Sequence, residues 1–494
     1  MRRVAAPASL VLALVLALSG QPSLAAGPLF VEATAGSGIP ALRFGEGVNA
    51  VDLDGDDLPE LFLPCVRGRD RLLRNSGNLR FEEVTDPWGI TGEGGIGAVV
   101  ADLDLDGRPE IVVVRGAWPS GTVSLLDRGA GGRFAEVAPS AGIATSKNGI
   151  AAAVADVDAD GRPDLFISTW GGDLLYLNQG GSPPRFVEAT VAAGLGGAER
   201  SWGALLADFT GDGLPDLFVA RGGPGSPERS RLFINRGGGR FEDTTAGTDL
   251  GNSSFAMGGV AADFDADGDL DLFVTSFDGR DRLYLNDGRG ALRDATADSG
   301  ISSLRSVGAA AGCVDGDLLP DLVVAGYEGP IRFFRNLGGG RFADESSTAG
   351  LQEHRRNEGV VLADLDRDGD LDLYVTNLDG NNRLYRNTLD NAGFLRIVPP
   401  PVTAGMHGAT GRLARAGAAS PGVAQSLQTG TGFCSQGPPE FLFRLPDAGP
   451  WRLYVLYADG SSGSMTAVTG GTMQAPPGRR GGESGKTPTP ELHE

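Results

Sequence analysis

Histidine and cysteine are scarce in this 494-residue chain, with three of each, and neither is spaced for chemistry. His354, His407 and His493 stand apart, and no His-Glu-x-x-His, Gly-x-Ser-x-Gly or Gly-x-x-x-x-Gly-Lys occurs. The common zinc-protease, serine-hydrolase and phosphate-cradling centres are therefore excluded. Cys65, Cys313 and Cys434 show no Cys-x-x-Cys spacing, which excludes a thiolate metal cage and allows at most one internal disulfide. The reading for at least two of them is a small buried apolar side chain. Positive charge is also short: 42 Lys and Arg against 63 Asp and Glu give a net charge of −21. Such a surface repels phosphate backbones, so nucleic acid is excluded as a partner and cations are favoured. Long apolar runs are missing as well. The run Leu10 to Leu18 covers nine residues, about half of the roughly 20 that span a bilayer. With Arg2 and Arg3 before it and Ser23-Leu24-Ala25 after it, residues 1–25 read as an export signal. The expectation is a secreted or periplasmic, extracellular protein with no transmembrane segment once the signal is removed.

Glycine is what the chain has in excess. With 78 Gly and 30 Pro, long helices cannot dominate, because these are the poorest helix formers. Self-similarity then becomes visible. A nine-residue acidic loop starts at Asp52, Asp102, Asp156, Asp208, Asp263, Cys313 and Asp364, a period of 50 to 55 residues that marks a repeat architecture. A small-residue apolar run precedes each loop, as in GAVVA before Asp102 and AAAVA before Asp156. A β-rich run follows it, then a third run ending at Asn178, Asn235, Asn286 or Asn336, a glycine-rich turn, and a fourth run beginning Arg-Phe. Four short strands per unit of about fifty residues describe a propeller blade.

The all-β expectation is a seven-bladed β-propeller over residues 26–391. Ala and Gly in the first strands suit crowding at the axis, and closure into a ring removes exposed strand edges. Ring closure is readable at the ends. A lone fourth-strand motif, Leu29 to Thr34, precedes the first loop, and the seventh unit lacks such a strand after Asn387.

The loops carry carboxylates at positions 1, 3, 5 and 9. These are Asp52, Asp54, Asp56 and Glu60; Asp102, Asp104, Asp106 and Glu110; Asp156, Asp158, Asp160 and Asp164. The series continues with Asp208, Thr210, Asp212 and Asp216; Asp263, Asp265, Asp267 and Asp271; Asp315, Asp317 and Asp321; and Asp364, Asp366, Asp368 and Asp372. Oxygen ligands alone, wrapped in a short loop with Gly at position 6, point to Ca²⁺ rather than zinc or copper, at up to seven sites. A single such loop is an ordinary polar turn. Seven in phase gather 26 of the 63 carboxylates into self-repelling clusters that need cations. Ligand count ranks the loops. Those at Asp102, Asp156, Asp263 and Asp364 come first, and the Asp52 loop follows because Asp57 replaces Gly. The Asp208 loop, with Thr210, comes next, and the Cys313 loop is last, having a thiol at position 1 and Leu318 at position 6.

These units resemble the FG-GAP or VCBS repeats of integrin α-subunit propellers and many bacterial secreted proteins. The resemblance implies structural calcium between the first and second strands of each blade. After Asn391 the repeat stops. Gly430, Gly432, Phe433, Ser435 and Gln436, with Tyr457-Ala458-Asp459-Gly460, resemble the ASPIC/UnbV module of the cartilage acidic protein 1 family and its bacterial relatives. This implies a small β-rich module over residues 392–469, followed by a disordered tail over residues 470–494. The functional expectation is a calcium-binding adhesion, binding or scaffold protein, not an enzyme, whose partner is an extracellular protein or glycan. The alternative is a lyase or hydrolase acting on polysaccharides, on fold analogy alone. No Arg-Gly-Asp sequence is present.

Overall fold

The computed structural model describes residues 28–475, apart from short stretches at 44, 117–120, 144–146, 198, 224–227, 253–254, 303–304, 352–353, 390–392, 399–407, 417–421, 427–433, 446–448, 459–460 and 468–470. The export signal, His407, His493, Gly430, Gly432, Phe433 and most of the expected tail lie outside the described residues, as does the His354 side chain.

Among the described residues, seven four-stranded antiparallel sheets follow one another along the chain. The third is representative. Asn148–Ala155 pairs with Asp164–Trp170, which pairs with Leu174–Asn178, which pairs with Phe186–Glu188. The innermost strands are Asn49–Val51, Gly95–Ala101, Asn148–Ala155, Ser201–Ala207, Ala256–Ala262, Ser306–Gly312 and Asn357–Ala363. Each packs against the next, and the last packs against the first, so the sheets form a closed propeller. Small residues allow this approach: Ala151, Ala152, Ala153 and Ala155 in one strand are all buried. Larger side chains fill the widening gaps between sheets, as where Phe166, Leu206, Leu217, Phe233 and Phe241 share one core. The N-terminal strand Phe30–Glu32 pairs with Arg383–Asn387 and completes the seventh sheet.

A second β unit follows. Phe394–Val398 pairs with Phe441–Arg444, while Thr410–Arg415 lies between Val423–Ser426 and Trp451–Leu456. Leu395, Ile397, Leu413, Phe441, Phe443 and Leu453 form its core. The expected tail begins too early. Gly471–Gln474 is a strand that runs parallel to Phe394–Val398, using the free edge of that strand, and Met473 and Ala475 pack on the core.

Two residues of this unit, Cys434 and Gln436, enter the propeller axis. The Gln436 N–H donates to Val48 O at 2.9 Å, and its carbonyl accepts from Ala50 N at 3.0 Å. The Gln436 side chain accepts from Val100 N at 2.7 Å and donates to Val100 O at 2.9 Å. Cys434 Sγ lies 3.1 Å from Ile150 O and is buried among Ile96, Met257 and Val307. Glycines at Gly47 and Gly97 make room, because a Cβ at either would collide with Cys434. None of the three cysteines is disulfide-bonded.

Neighbouring sheets are stapled by side chains at the end of the third strand. Asn178 Nδ2 donates to Leu103 O of the preceding loop at 2.7 Å and to Pro163 O of its own loop at 2.9 Å. Asn235, Asn286, Asn336 and Asn387 repeat this toward Val157, Phe209, Phe264 and Val314. Asn75 reaches Leu365 O at 2.8 Å and joins the first sheet to the seventh. Arg128 replaces Asn in the second sheet and donates to Leu53 O. Because Asn178 is fully buried, Asn178→Ala strands two carbonyls in a site water does not reach and is expected to cost about 2 kcal/mol. Urea denaturation of the variant checks this: an unchanged midpoint would show that the staple is dispensable.

Candidate metal centres

Six of the acidic loops are shaped by their first and last carboxylates, and the Cys313 loop by its last alone. The position-1 acid accepts from backbone N–H groups further along its own loop. Asp156 takes Asp160 N at 3.1 Å and Gly161 N at 2.8 Å, and Asp102 takes Asp106 N at 3.0 Å and Gly107 N at 2.9 Å. This needs two left-handed residues, at positions 4 and 6. Gly107, Gly161, Gly268 and Gly369 supply the second, while Leu105, Ala159, Ala266 and Arg367 adopt the first without being glycine. The position-9 acid is fully buried at Glu60, Glu110, Asp164, Asp216, Asp271, Asp321 and Asp372. It ties the loop to the sheet. Asp164, for example, accepts from Val157 N at 2.9 Å and Asn178 N at 2.8 Å.

In five loops this folding brings three carboxylates together. The clusters are Asp52, Asp54 and Glu60; Asp102, Asp104 and Glu110; Asp156, Asp158 and Asp164; Asp263, Asp265 and Asp271; and Asp364, Asp366 and Asp368. Within each, one oxygen per residue lies within 4.8 Å of the others. That is about the largest separation of two oxygens bound to one calcium at roughly 2.4 Å. Burial, more than the neighbouring acids, pushes Glu110 and Asp271 up to about 9 and Glu60 and Asp164 up to about 8. Asp156, Asp263 and Asp364 rise to about 7 for the same first reason. Ionising these groups together is costly without a counter-charge. Asp54 Oδ1, Asp104 Oδ2, Glu110 Oε1, Asp364 Oδ1 and Asp366 Oδ1 are enclosed with no hydrogen-bond partner among the described residues. An all-oxygen donor set with orphaned oxygens fits a hard cation.

The remaining expected ligands are placed differently. Asp56 pairs with Arg74 at 3.2 Å, and Asp106 and Asp160 turn to Arg108 and Arg162; Asp368, although inside its cluster, also pairs with Arg386 at 3.0 Å. Arg74 also holds Asp54 at 2.8 Å. Asp267 is not among the converging carboxylates of its loop, and neither is Asp372. The loops containing Asp208, Thr210, Asp212 and Asp216, and Cys313, Asp315, Asp317 and Asp321, form no such cluster among the described residues.

The two loops without glycine at position 6 meet the C-terminal unit. Asp57 adopts φ 72° and receives both Arg396 nitrogens, at 2.7 and 2.8 Å. Arg396 and Arg367 both hold Glu440, at 2.6 and 2.8 Å. Leu318 packs on the core of the C-terminal unit, and Gln425 Nε2 lies 3.5 Å from Cys313 Sγ. Elsewhere, Ala424 N donates to Asp263 Oδ2 at 3.0 Å. Asp57 thus serves as a docking group, a role beyond the turn cost that the sequence assigns to it.

The same loops delimit the similarity to known proteins. FG-GAP-like repeat sequences match residues 52–113, 156–219, 208–274, 263–312 and 314–375, each beginning at or beside a loop's first acid. The chain belongs to the FG-GAP-like repeat family. Cartilage acidic protein 1 of Homo sapiens is 30% identical over 281 residues, covering 49% of this chain and 40% of that protein. The Mus musculus protein of the same name is 28% identical, covering 49% and 42%. The chain therefore spans about two fifths of these relatives. Among solved structures, a BBS1N chain in complex with ARL6DN aligns with TM-score 0.46 at 12% identity, covering 73% of this chain and 98% of its own. The BP39L lectin from Burkholderia pseudomallei aligns with TM-score 0.44 at 12% identity, covering 71% and 100%.

Within this FG-GAP-like chain, Asp158→Ala is expected to remove one bound cation without unfolding the protein, and Cys313→Ala to remove none. Calorimetric titration with calcium counts the sites. Equal losses in the two variants would contradict the assignment.

Proposed function

We propose that the protein is an exported, calcium-stabilised propeller that acts as a binding, adhesion or scaffold module and not as an enzyme. The observation that carries this reading is the coincidence of five carboxylate clusters with the loops that staple sheet to sheet. Calcium in these loops would neutralise the clusters and brace the ring. The similarity to proteins named for cartilage and acidity supports the same reading. Among the described residues no helix is long and apolar enough to cross a membrane. The proposed partner is an extracellular protein or glycan.

Extracellular calcium modules bind with dissociation constants of about 10⁻⁴ to 10⁻³ M, so each site contributes about 1 kcal/mol at millimolar calcium. With several sites filled, EGTA is expected to lower the melting temperature by about 5–10 °C. Differential scanning calorimetry of the purified protein reads this, and an unchanged transition would remove the calcium half of the proposal. Capture from an exported fraction, with calcium and with chelator, tests the binding half. A partner retained only with calcium is the expected result.

A further inference from the structure

The C-terminal unit meets the propeller at the acidic loops and along the axis. The other face of the ring carries a feature that neither the loops nor the cores require. Five half-buried rings follow one another across four successive sheets: Trp170, Trp202, Phe255, Phe277 and Tyr327. Their centroids are 5.0, 5.6, 5.1 and 4.6 Å apart in that order. Each stands at the end of a first or second strand remote from the acidic loops. Trp170 closes Asp164–Trp170, Trp202 is the second residue of Ser201–Ala207, and Phe277 follows Asp271–Ser276. The arc rests on the axial cluster around Ile150 and Met257 and leaves part of every ring uncovered.

Arginines accompany the rings. Arg200 lies 5.8 Å from the Trp170 centroid, Arg305 lies 4.5 Å from Phe277, and Arg356 lies 4.5 Å from Tyr327. Beyond Tyr327 the arc opens into a cavity of about 290 Å³, where Arg43, Arg67 and Arg356 face Glu46 and Asp379. Three guanidinium groups line this cavity with Glu46 and Asp379, and the buried Glu358 lies near Glu46 and Arg356 behind the lining, so the surface presented is an anion-accepting corner on a strongly acidic protein. Two donors on this face, Trp170 Nε1 and Arg356 Nε, have no partner among the described residues.

We propose that this face binds an acidic oligosaccharide, with its sugar rings along the aromatic arc and an acidic group in the Arg43, Arg67 and Arg356 cavity. The proposal rests on the binding reading above and names its ligand class. A pyranose presents an apolar C–H face to an aromatic ring and hydroxyls at its rim, so a track of rings accepts successive sugar units. Guanidinium groups, held over the rings by cation–π contact, give planar donors for carboxylate or sulfate. Charge complementarity at the cavity selects the acidic sugar over a neutral one.

The test is calorimetric titration of the full chain in calcium with oligogalacturonate, dextran sulfate, neutral dextran and polyglutamate of matched length. One or both acidic sugars are expected to bind, with at least tenfold weaker affinity for neutral dextran and polyglutamate. Arg67→Gln, at an exposed position, is expected to weaken binding at least tenfold. Trp170→Leu is expected to weaken it at least fivefold, with the melting temperature of each variant confirming the fold. Failure of both acidic sugars to bind overturns the proposal, as does equal binding of neutral dextran or polyglutamate, or undiminished affinity in Arg67→Gln. A partner captured from the exported fraction equally well by wild type and by the Arg67→Gln, Trp170→Leu double variant would overturn this site while leaving the binding function standing.

Discussion

The propeller depends on one repeated connection, in which the acidic loop of one sheet is held by the third strand of the next. Position 2 of the loop is the junction. Its N–H donates to the buried position-9 acid, as Val157 N does to Asp164, and its carbonyl accepts the following sheet's asparagine, as Val157 O does from Asn235. The same acid also accepts the N–H of its own sheet's asparagine. Carboxylate cluster, strand turn and sheet-to-sheet contact therefore share one set of atoms. Neutralising the carboxylates and closing the ring are coupled events, and the energetic cost of gathering buried acids falls on the joints of the fold.

The C-terminal unit exploits the places where that pattern is relaxed. Asp57 and Leu318 occupy the position that glycine holds in the other loops, and each makes a contact to the C-terminal unit that glycine could not make: an ion pair with Arg396 and a hydrophobic contact with its core. Gln436 satisfies the exposed inner edges of Asn49–Val51 and Gly95–Ala101, whose backbone groups would otherwise face the axis. The two units form one hydrogen-bonded assembly, with Cys434 and Gln436 of the smaller one set among the innermost strands.

Much of this was legible in the residues. The loop period and the small first strands foretold the sheets, and the lone Leu29 to Thr34 motif foretold the closing strand. The asparagines ending the third strands were visible as a pattern, but their partners lie some 70 to 80 residues upstream in sequence, as with Asn178 and Leu103, and spacing alone cannot show that. The arginines that hold Asp54, Asp56 and Asp368 were hidden for a related reason. These acids look like ligands in a linear motif, and only the third strand, which carries Arg74 and Arg386, reveals the competitor, whereas Arg108 and Arg162 stand two residues beyond Asp106 and Asp160 in the same loops. The strand Gly471–Gln474 was masked by its glycine- and proline-rich setting, since its pairing comes from the free edge of a distant strand. Trp170, Phe277 and Tyr327 stand at one common position in the repeat, but Val66, Gly116, Gly222 and Leu378 hold it in the other units, and Trp202 and Phe255 come from other positions, so the period alone does not collect the arc.

The direction of the staples has a bearing on assembly. Arg128, Asn178, Asn235, Asn286, Asn336 and Asn387 all reach back to a loop made earlier in the chain, whereas Asn75 alone reaches forward, to Leu365. A chain emerging from its N-terminus can thus add each sheet to a finished neighbour, growing as an arc with a template always at hand. The circle itself must wait for residues 364–387, which bring both the acceptor for Asn75 and the strand that receives Phe30–Glu32. Until then the first sheet has an unclaimed side, and the last-made segment acts as the latch of the whole ring.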